Sequence, residues 1–201
     1  MIRDKQKTQE KMIAAVGYIL ARDGFSKFGV NSVSRQAKVD KALIYRYFGG
    51  LPGLLRAYGN SIDFWPSLDE IIGDIEVFKQ KSIGEKMAEL LVQFARAMRR
   101  RPMTLEIMAW ELVEHNELTQ LLADVREQWV EKFFQRFSDE ISATNLDIAA
   151  TSALFGAAIN YLLIRGRNTH IFNKIAIDSD LGWQRLEAAL TEMCLRCFIS
   201  A

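Results

Sequence analysis

Residues Val30–Leu55 read VNSVSRQAKVDKALIYRYFGGLPGLL, and two short helices can be drawn through them with a tight turn between. The first spans about Asn31 to Ala37, with Val33 and Ala37 four apart on one side. A break follows at Lys38-Val39. Asp40 then stands as the cap of a second helix, Lys41 to Tyr47, because its side-chain oxygen can accept from the free amides of a first turn. Gly49-Gly50 ends that helix. Pro52 suits the first turn of a further one, where its missing N–H costs nothing. Two short helices around such a turn, preceded by a longer helix, form the helix-turn-helix pattern.

The longer helix runs from about Lys5 to Arg22, with Met12, Val16, Ile19 and Leu20 on one face, and Gly24 stops it. The helix after Asp40 is too short to be stable alone. It must be held on a three-helix core, with its outer face free for a major groove. At ~100° per residue, Ile44 and Phe48 define its buried side, Ala42 and Arg46 point away, and Leu43 and Tyr45 flank. Ala42 lets the backbone approach closely. Arg46 can donate a bidentate pair to guanine, and Leu43 can meet a thymine methyl. Tyr45 and Tyr47 can donate to phosphates, which set register without reading sequence. Leu43 and Tyr47 fit equally as partial core.

Charge separates this region from the rest. The 201 residues carry 26 Lys+Arg and 25 Asp+Glu, a net +1. Residues 1–50 hold ten basic and four acidic side chains, a balance of +6, which leaves −5 on the remainder. A basic end on an acidic body points to a polyanion-binding module joined to a domain with another task. Hydrophobic residues at 49% exclude disorder as the dominant state, and two cysteines exclude a disulfide scaffold. Met1-Ile2-Arg3-Asp4-Lys5 leads into mixed polar sequence with no signal-peptide pattern. The longest uncharged run, Ile148 to Ile164, has 17 residues and contains Thr151, Ser152 and Asn160. A membrane span needs ~20 apolar residues. The run is therefore expected to be a buried helix of a cytoplasmic protein that engages no membrane.

Helical periodicity extends through the chain, so the fold class expected is all-α, with about nine helices and no strand. A connecting helix occupies about 52–65 and stops at Pro66. Ser67 to Lys81 reads as a loop with one helical turn at most. Ser82-Ile83-Gly84-Glu85 is a capping box, opening a helix that closes on Arg99-Arg100-Arg101, cations suited to the negative end of the macrodipole. Further helices run from Pro102 to about Glu114, from the cap Asn116 to about Ser138, from Asn145 or Asp147 to near Arg167, and from Asp180 almost to the end. The expected domains are a helix-turn-helix module, 1–50, joined through the connecting helix to a larger helical domain, 66–201.

Residues 30–55 resemble the DNA-binding signature of the TetR family of transcriptional regulators. Gly24, Val30, Val33, Ala37, Val39, Ile44, Tyr45, Phe48, Leu54 and Leu55 carry the resemblance, with the spacing preserved. Four positions depart from the pattern. Lys38 replaces a turn glycine, so a non-glycine is expected in a left-handed conformation. Asp40 replaces a Ser cap, Leu51 a phosphate-contacting Lys, and Gly29 a Thr. By position, the resemblance implies DNA contacts from Asn31 and Ser32 in the first short helix. It implies a recognition surface of Lys41, Ala42, Leu43, Tyr45, Arg46 and Tyr47. It further implies a repressor whose last two helices pair with their mates. A small-molecule effector in the body would shift the connecting helix and change the separation of the recognition helices.

The larger domain offers residues for both tasks. One recognition helix reads only a few base pairs, and dimers read two half-sites one helical turn apart on a palindromic operator. Ala149, Ala153, Gly156 and Asn160 form a small-residue stripe at 4, 3, 4 spacing. On the last helix Trp183, Leu186, Leu190 and Met193 form an apolar stripe continued by Cys197. These are the candidate homodimer faces. The middle helices carry Phe64, Met87, Phe94, Met108, Trp110, Trp129 and Phe133, which can line an adaptable apolar cavity or serve as plain core. Glu111, beside Trp110, adds an acid that could meet a cationic ligand.

Other chemistry has little support. Zinc needs four ligands, and besides Cys194 and Cys197 there are only His115 and His170. The expectation is two buried cysteines near the dimer face, with no metal and no cofactor. A helical enzyme lacks any Gly-rich phosphate loop, Glu-x-x-His pair or Ser/His/Asp grouping. A DNA-binding regulator with no small-molecule effector, acting as an activator or under a protein partner, is the remaining alternative.

Overall fold

In the computed structural model, which describes residues 2–138 and 146–198, Met12, Val16, Ile19 and Leu20 line the inner face of α1 (Ile2–Asp23) and are all buried. A single 3-10 turn, Phe25–Lys27, leads into α2 (Val30–Ala37), then α3 (Ala42–Phe48) and α4 (Leu51–Gly59). Val33 and Ala37 from α2, Ile44 from α3 and Leu54, Leu55 and Tyr58 from α4 close on the α1 stripe. Each such apolar side chain contributes roughly 1.5–3 kcal/mol when fully buried, and α3 has too few residues to persist without this core.

The connecting helix ends at Gly59, six residues short of the expected Trp65. Asn60 and Ser61 turn their side chains back on the last carbonyls, Asn60 Nδ2 to Arg56 O at 2.9 Å and Ser61 Oγ to Tyr58 O at 2.6 Å. This closes the helix and lets Phe64 fold back against Tyr58, ring centroids 5.1 Å apart. Where a loop was expected there are two short helices, α5 (Leu68–Ile72) and α6 (Ile75–Lys79). Ser67 and Asp74 supply their caps, accepting from the amides of Glu70 and of Glu76 and Val77.

The Ser82 capping box forms as read and opens α7 (Ile83–Arg99). Then follow α8 (Pro102–Glu111), α9 (Glu117–Arg136) capped by Asn116, α10 (Ile148–Gly166) and α11 (Asp180–Cys197). Asp147 caps α10 through its carboxylate on the Ala150 amide at 2.9 Å; the other candidate, Asn145, lies outside the described residues. The described residues thus hold eleven helices rather than nine. They also hold a two-residue-per-strand hairpin that periodicity could not show, Ile171–Phe172 (β1) with Ile175–Ala176 (β2). Asn173 and Lys174 both take positive φ in its turn, the geometry that suits strand twist.

The chain gathers into two compact units. The first comprises residues up to 65 together with 101–130. In it Arg101 donates to Ile62 O at 2.9 and 2.8 Å, and Thr104 Oγ1 to Phe64 O at 2.8 Å, fastening α8 beside α1. The second comprises 66–100 and the described residues from 131. It is built around α7, whose Met87, Leu90, Leu91, Phe94, Ala95 and Met98 are buried and which packs on α5, α10 and α11. Arg96 and Arg99 pair with Glu187 and Asp180 of α11, at 2.6 and 2.5 Å.

The uncharged helix departs from its expected burial. It is 19 residues long, and only 17% of its most apolar 18-residue window is buried inside the chain. Ile148, Phe155, Ile159 and Leu163 form one inward stripe, while Leu154 is 74% and Tyr161 53% exposed on the other side. An uncharged sequence does not say which faces its own chain covers.

Candidate nucleic-acid interface

The turn between α2 and α3 is built on Ser34. Its carbonyl accepts the amides of Lys38 and Val39, and its hydroxyl donates to Val39 O at 2.6 Å. Lys38 sits at φ 55°, ψ 47°, the left-handed conformation expected where a glycine is usual. The first residue of α3 is Ala42 rather than Lys41, and the Asp40 carboxylate accepts from the Ala42 amide at 2.8 Å. Gly49, at φ 72°, ends the helix.

These anchors fix which side of α3 faces out. Ile44 is fully buried; Lys41, Ala42, Tyr45 and Arg46 are exposed. Leu43 and Tyr47 are half-buried and packed on the core. The outer surface therefore presents a methyl, a phenol and a guanidinium along one short helix, with the Lys41 ammonium at its N-terminus. Phe48, expected inside, is half-buried, because α3 ends there and only its inner edge reaches the core.

Two further residues alter the reading of the site. Ser32 does not offer a free hydroxyl: its Oγ accepts the Gly29 amide at 2.9 Å and lies 2.8 Å from Gly29 O and 2.9 Å from Lys27 O. It closes the N-terminus of α2 from the third helical position, while Asn31 beside it is exposed. Lys5, one of the ten basic residues in 1–50, sits with Nζ 5.4 Å from the centre of the Tyr47 ring. The Arg46 guanidinium is 5.8 Å from the same ring. Tyr47 thus gathers a cation from α1 and another from α3. No local pattern joins residues 42 positions apart, so only the folded chain brings Lys5 in.

The residues expected to line a ligand cavity are divided. Phe64, Met108, Trp110, Glu111 and Trp129 belong to the first unit; Met87, Phe94 and Phe133 to the second. Trp110 donates Nε1 to Ala21 O at 3.4 Å. Glu111, the proposed acid for a cationic ligand, is already engaged by Arg126 at 2.6 Å. Phe133 packs with Phe134 and Phe137, centroids 5.5 and 5.1 Å away. Open surface clefts of about 450, 470 and 350 Å³ each lie within one unit, and none is lined by any of these eight residues.

The residues expected at a dimer face also separate. Ala149 and Ala153 are exposed, and Gly156 has open space where a Cβ would stand. Asn160 is half-buried, as are Leu186 and Leu190, and Met193 is exposed. Trp183 is buried inside its own unit, donating Nε1 to Ile177 O at 2.8 Å under the Arg99 guanidinium. Cys194 is buried, its thiol pushed up to about 11 by desolvation, whereas Cys197 is exposed, against the expectation of two buried cysteines.

A three-helix core that displays a short cationic helix beyond a tight turn defines a helix-turn-helix architecture. No model of a known protein family matches the chain, and no curated protein matches it by sequence. Solved structures do. A TetR family transcription regulator from Marinobacter aquaeolei is 15% identical, with 100% of both chains covered and a TM-score of 0.62. NalD of Pseudomonas aeruginosa, described as the secondary repressor of the MexAB-OprM multidrug efflux pump, is 15% identical over 96% of this chain and 98% of that one, at 0.67. The regulator FadR of Bacillus subtilis, solved with stearoyl-CoA, is 18% identical over 92% and 96%, at 0.63. The chain has the all-helical fold of these TetR-type regulators, which is the fold that the resemblance in residues 30–55 implied.

Proposed function

We propose that this protein is a dimeric, cytoplasmic transcriptional regulator that binds a palindromic operator through α3 and acts by binding rather than catalysis. The observation that carries this is the division of α3: Ile44 locked in the core, and Lys41, Ala42, Tyr45 and Arg46 presented outward. Arg46 reads a guanine edge. Lys41, Tyr45 and Asn31 meet phosphates and fix register. The dimer forms through the exposed side of α10 together with α11, where an uncharged face of Ala149, Ala153, Leu154 and Tyr161 needs cover.

Repression and release by a small apolar or amphipathic ligand complete the reading. The repressor role described for NalD and the acyl-CoA bound to the Bacillus subtilis protein support it by analogy of fold. Release requires a coupling of ~1–3 kcal/mol between ligand and DNA. Sedimentation of the purified protein with a preferred duplex tests the assembly. Two chains per duplex, dimeric before DNA is added, is the expected result. One chain per duplex with a monomeric free protein would refute it.

A further inference from the structure

Glu114 lies three residues beyond the last residue of α8, yet its side chain reaches the hinge between α1 and α2. Its Oε2 accepts the Ser26 amide at 3.1 Å, at the first turn of the 3-10 segment Phe25–Lys27. Its own amide donates to Trp110 O at 2.8 Å, so Glu114 is held as one more turn of α8. Trp110, on that same turn, donates to Ala21 O. Two side chains from the end of α8 therefore grip both sides of Gly24.

Gly24 makes the grip possible. It stands at φ 73°, ψ −177°, a conformation that is essentially glycine's alone. A Cβ there would fall 2.5 Å from Glu114 Oε1 and 3.1 Å from the Trp110 ring. A side chain at position 24 would therefore press on the same carboxylate that accepts from Ser26. The helix stop at Gly24 and the acceptor at Glu114 are thus two halves of one contact, although 90 residues separate them. The segment they hold is short: Phe25 and Phe28 anchor it in the core, and α2 begins two residues later.

We infer that Glu114 is a positioning residue for DNA binding, fixing the angle at which α2 and α3 leave α1 by holding the Ser26 amide. This rests on the DNA-binding reading above. Within the first unit it adds a hold from the end of α8 to the segment that sets α2 and α3. Glu114→Gln keeps an acceptor in place. Glu114→Ala removes it, and Glu114→Asp keeps the charge but withdraws it by one methylene.

The test measures two things on all four proteins: hydrogen exchange of the Ser26 amide, and affinity for the wild type's preferred duplex and for duplexes with the half-sites one base pair closer or further. The expected result is fast exchange at Ser26, about tenfold weaker binding and a flattened spacing preference in Glu114→Ala and Glu114→Asp, with Glu114→Gln near wild type. If Ser26 exchange rises in either variant while affinity and spacing preference stay unchanged, the positioning role is overturned and the DNA-binding reading stands. If the wild type prefers no duplex at all, the DNA-binding reading fails and this inference fails with it. The Asp variant carries the test should the Ala variant fail to fold.

Discussion

Glu111 and Arg126 meet in a two-pronged ion pair inside the first unit, Nη2 to Oε2 at 2.6 Å and Nη1 to Oε1 at 2.9 Å. The guanidinium also lies 5.7 Å from the centre of the Trp65 ring. The pair ties α8 to α9 in a largely shielded place. Breaking one partner strands the other there. Arg126→Met should cost ~3–5 kcal/mol, whereas the double change Glu111→Leu, Arg126→Met should cost much less. Urea unfolding of wild type, single and double variants checks this; equal losses in single and double variants would contradict it.

The same pair predicts a pH dependence of unusual sign. Burial pushes the Glu111 carboxyl above the ordinary carboxylate range, outweighing the pull of Arg126. The folded state then binds a proton at this site more tightly than the unfolded chain does. Its contribution to stability is fully present below the unfolded value and falls as pH rises through the folded one. Thermal unfolding of wild type and Glu111→Gln across that window should show wild type gaining on the variant as the solution is acidified. A gain in the alkaline direction would reject this balance.

Lys38 is held left-handed at φ 55° by the turn built on Ser34. That conformation costs a non-glycine residue roughly 1–2 kcal/mol, and glycine's extra freedom in the unfolded chain returns ~0.5–1 of it. Lys38→Gly should therefore stabilise the protein by ~0.5–1 kcal/mol, and Lys38→Val should destabilise it. Denaturant midpoints decide between this and a glycine variant that loses stability.

Much of this was legible because it is local. Caps at Asp40, Ser82 and Asn116, the stripe on α1 and the left-handed position at Lys38 are each written within a few residues. The hairpin at 171–176 has its signal in two turn residues, too short a run to register as strand periodicity. The end of α4 at Gly59 depends on Phe64 returning to Tyr58, which no helix pattern shows. In the candidate site, local spacing identified the exposed side of α3. It could not show that the Ser32 hydroxyl is occupied, that Lys5 joins Tyr47, or that Arg126 claims Glu111. Those facts rest on contacts between distant segments or on the direction one side chain takes. The same holds for α10, whose composition reads as interior although one side lies open.

The two cations at α3 should behave differently. Arg46→Ala should cost ~1–3 kcal/mol and relax preference at one base position, while Lys41→Ala should weaken all sequences alike and reduce the salt slope by about one. Titrations on preferred and random duplexes at several salt concentrations separate the two. Equal losses on both duplexes for Arg46→Ala would reject base reading.

Operator binding in this form requires two copies of α3 on one duplex. Selection of bound fragments from random double-stranded DNA by the purified protein tests it most directly. The expected result is enrichment of a palindrome with half-sites ~34–36 Å apart, centre to centre. Recovery of no preferred sequence, from protein shown to be folded, would contradict it.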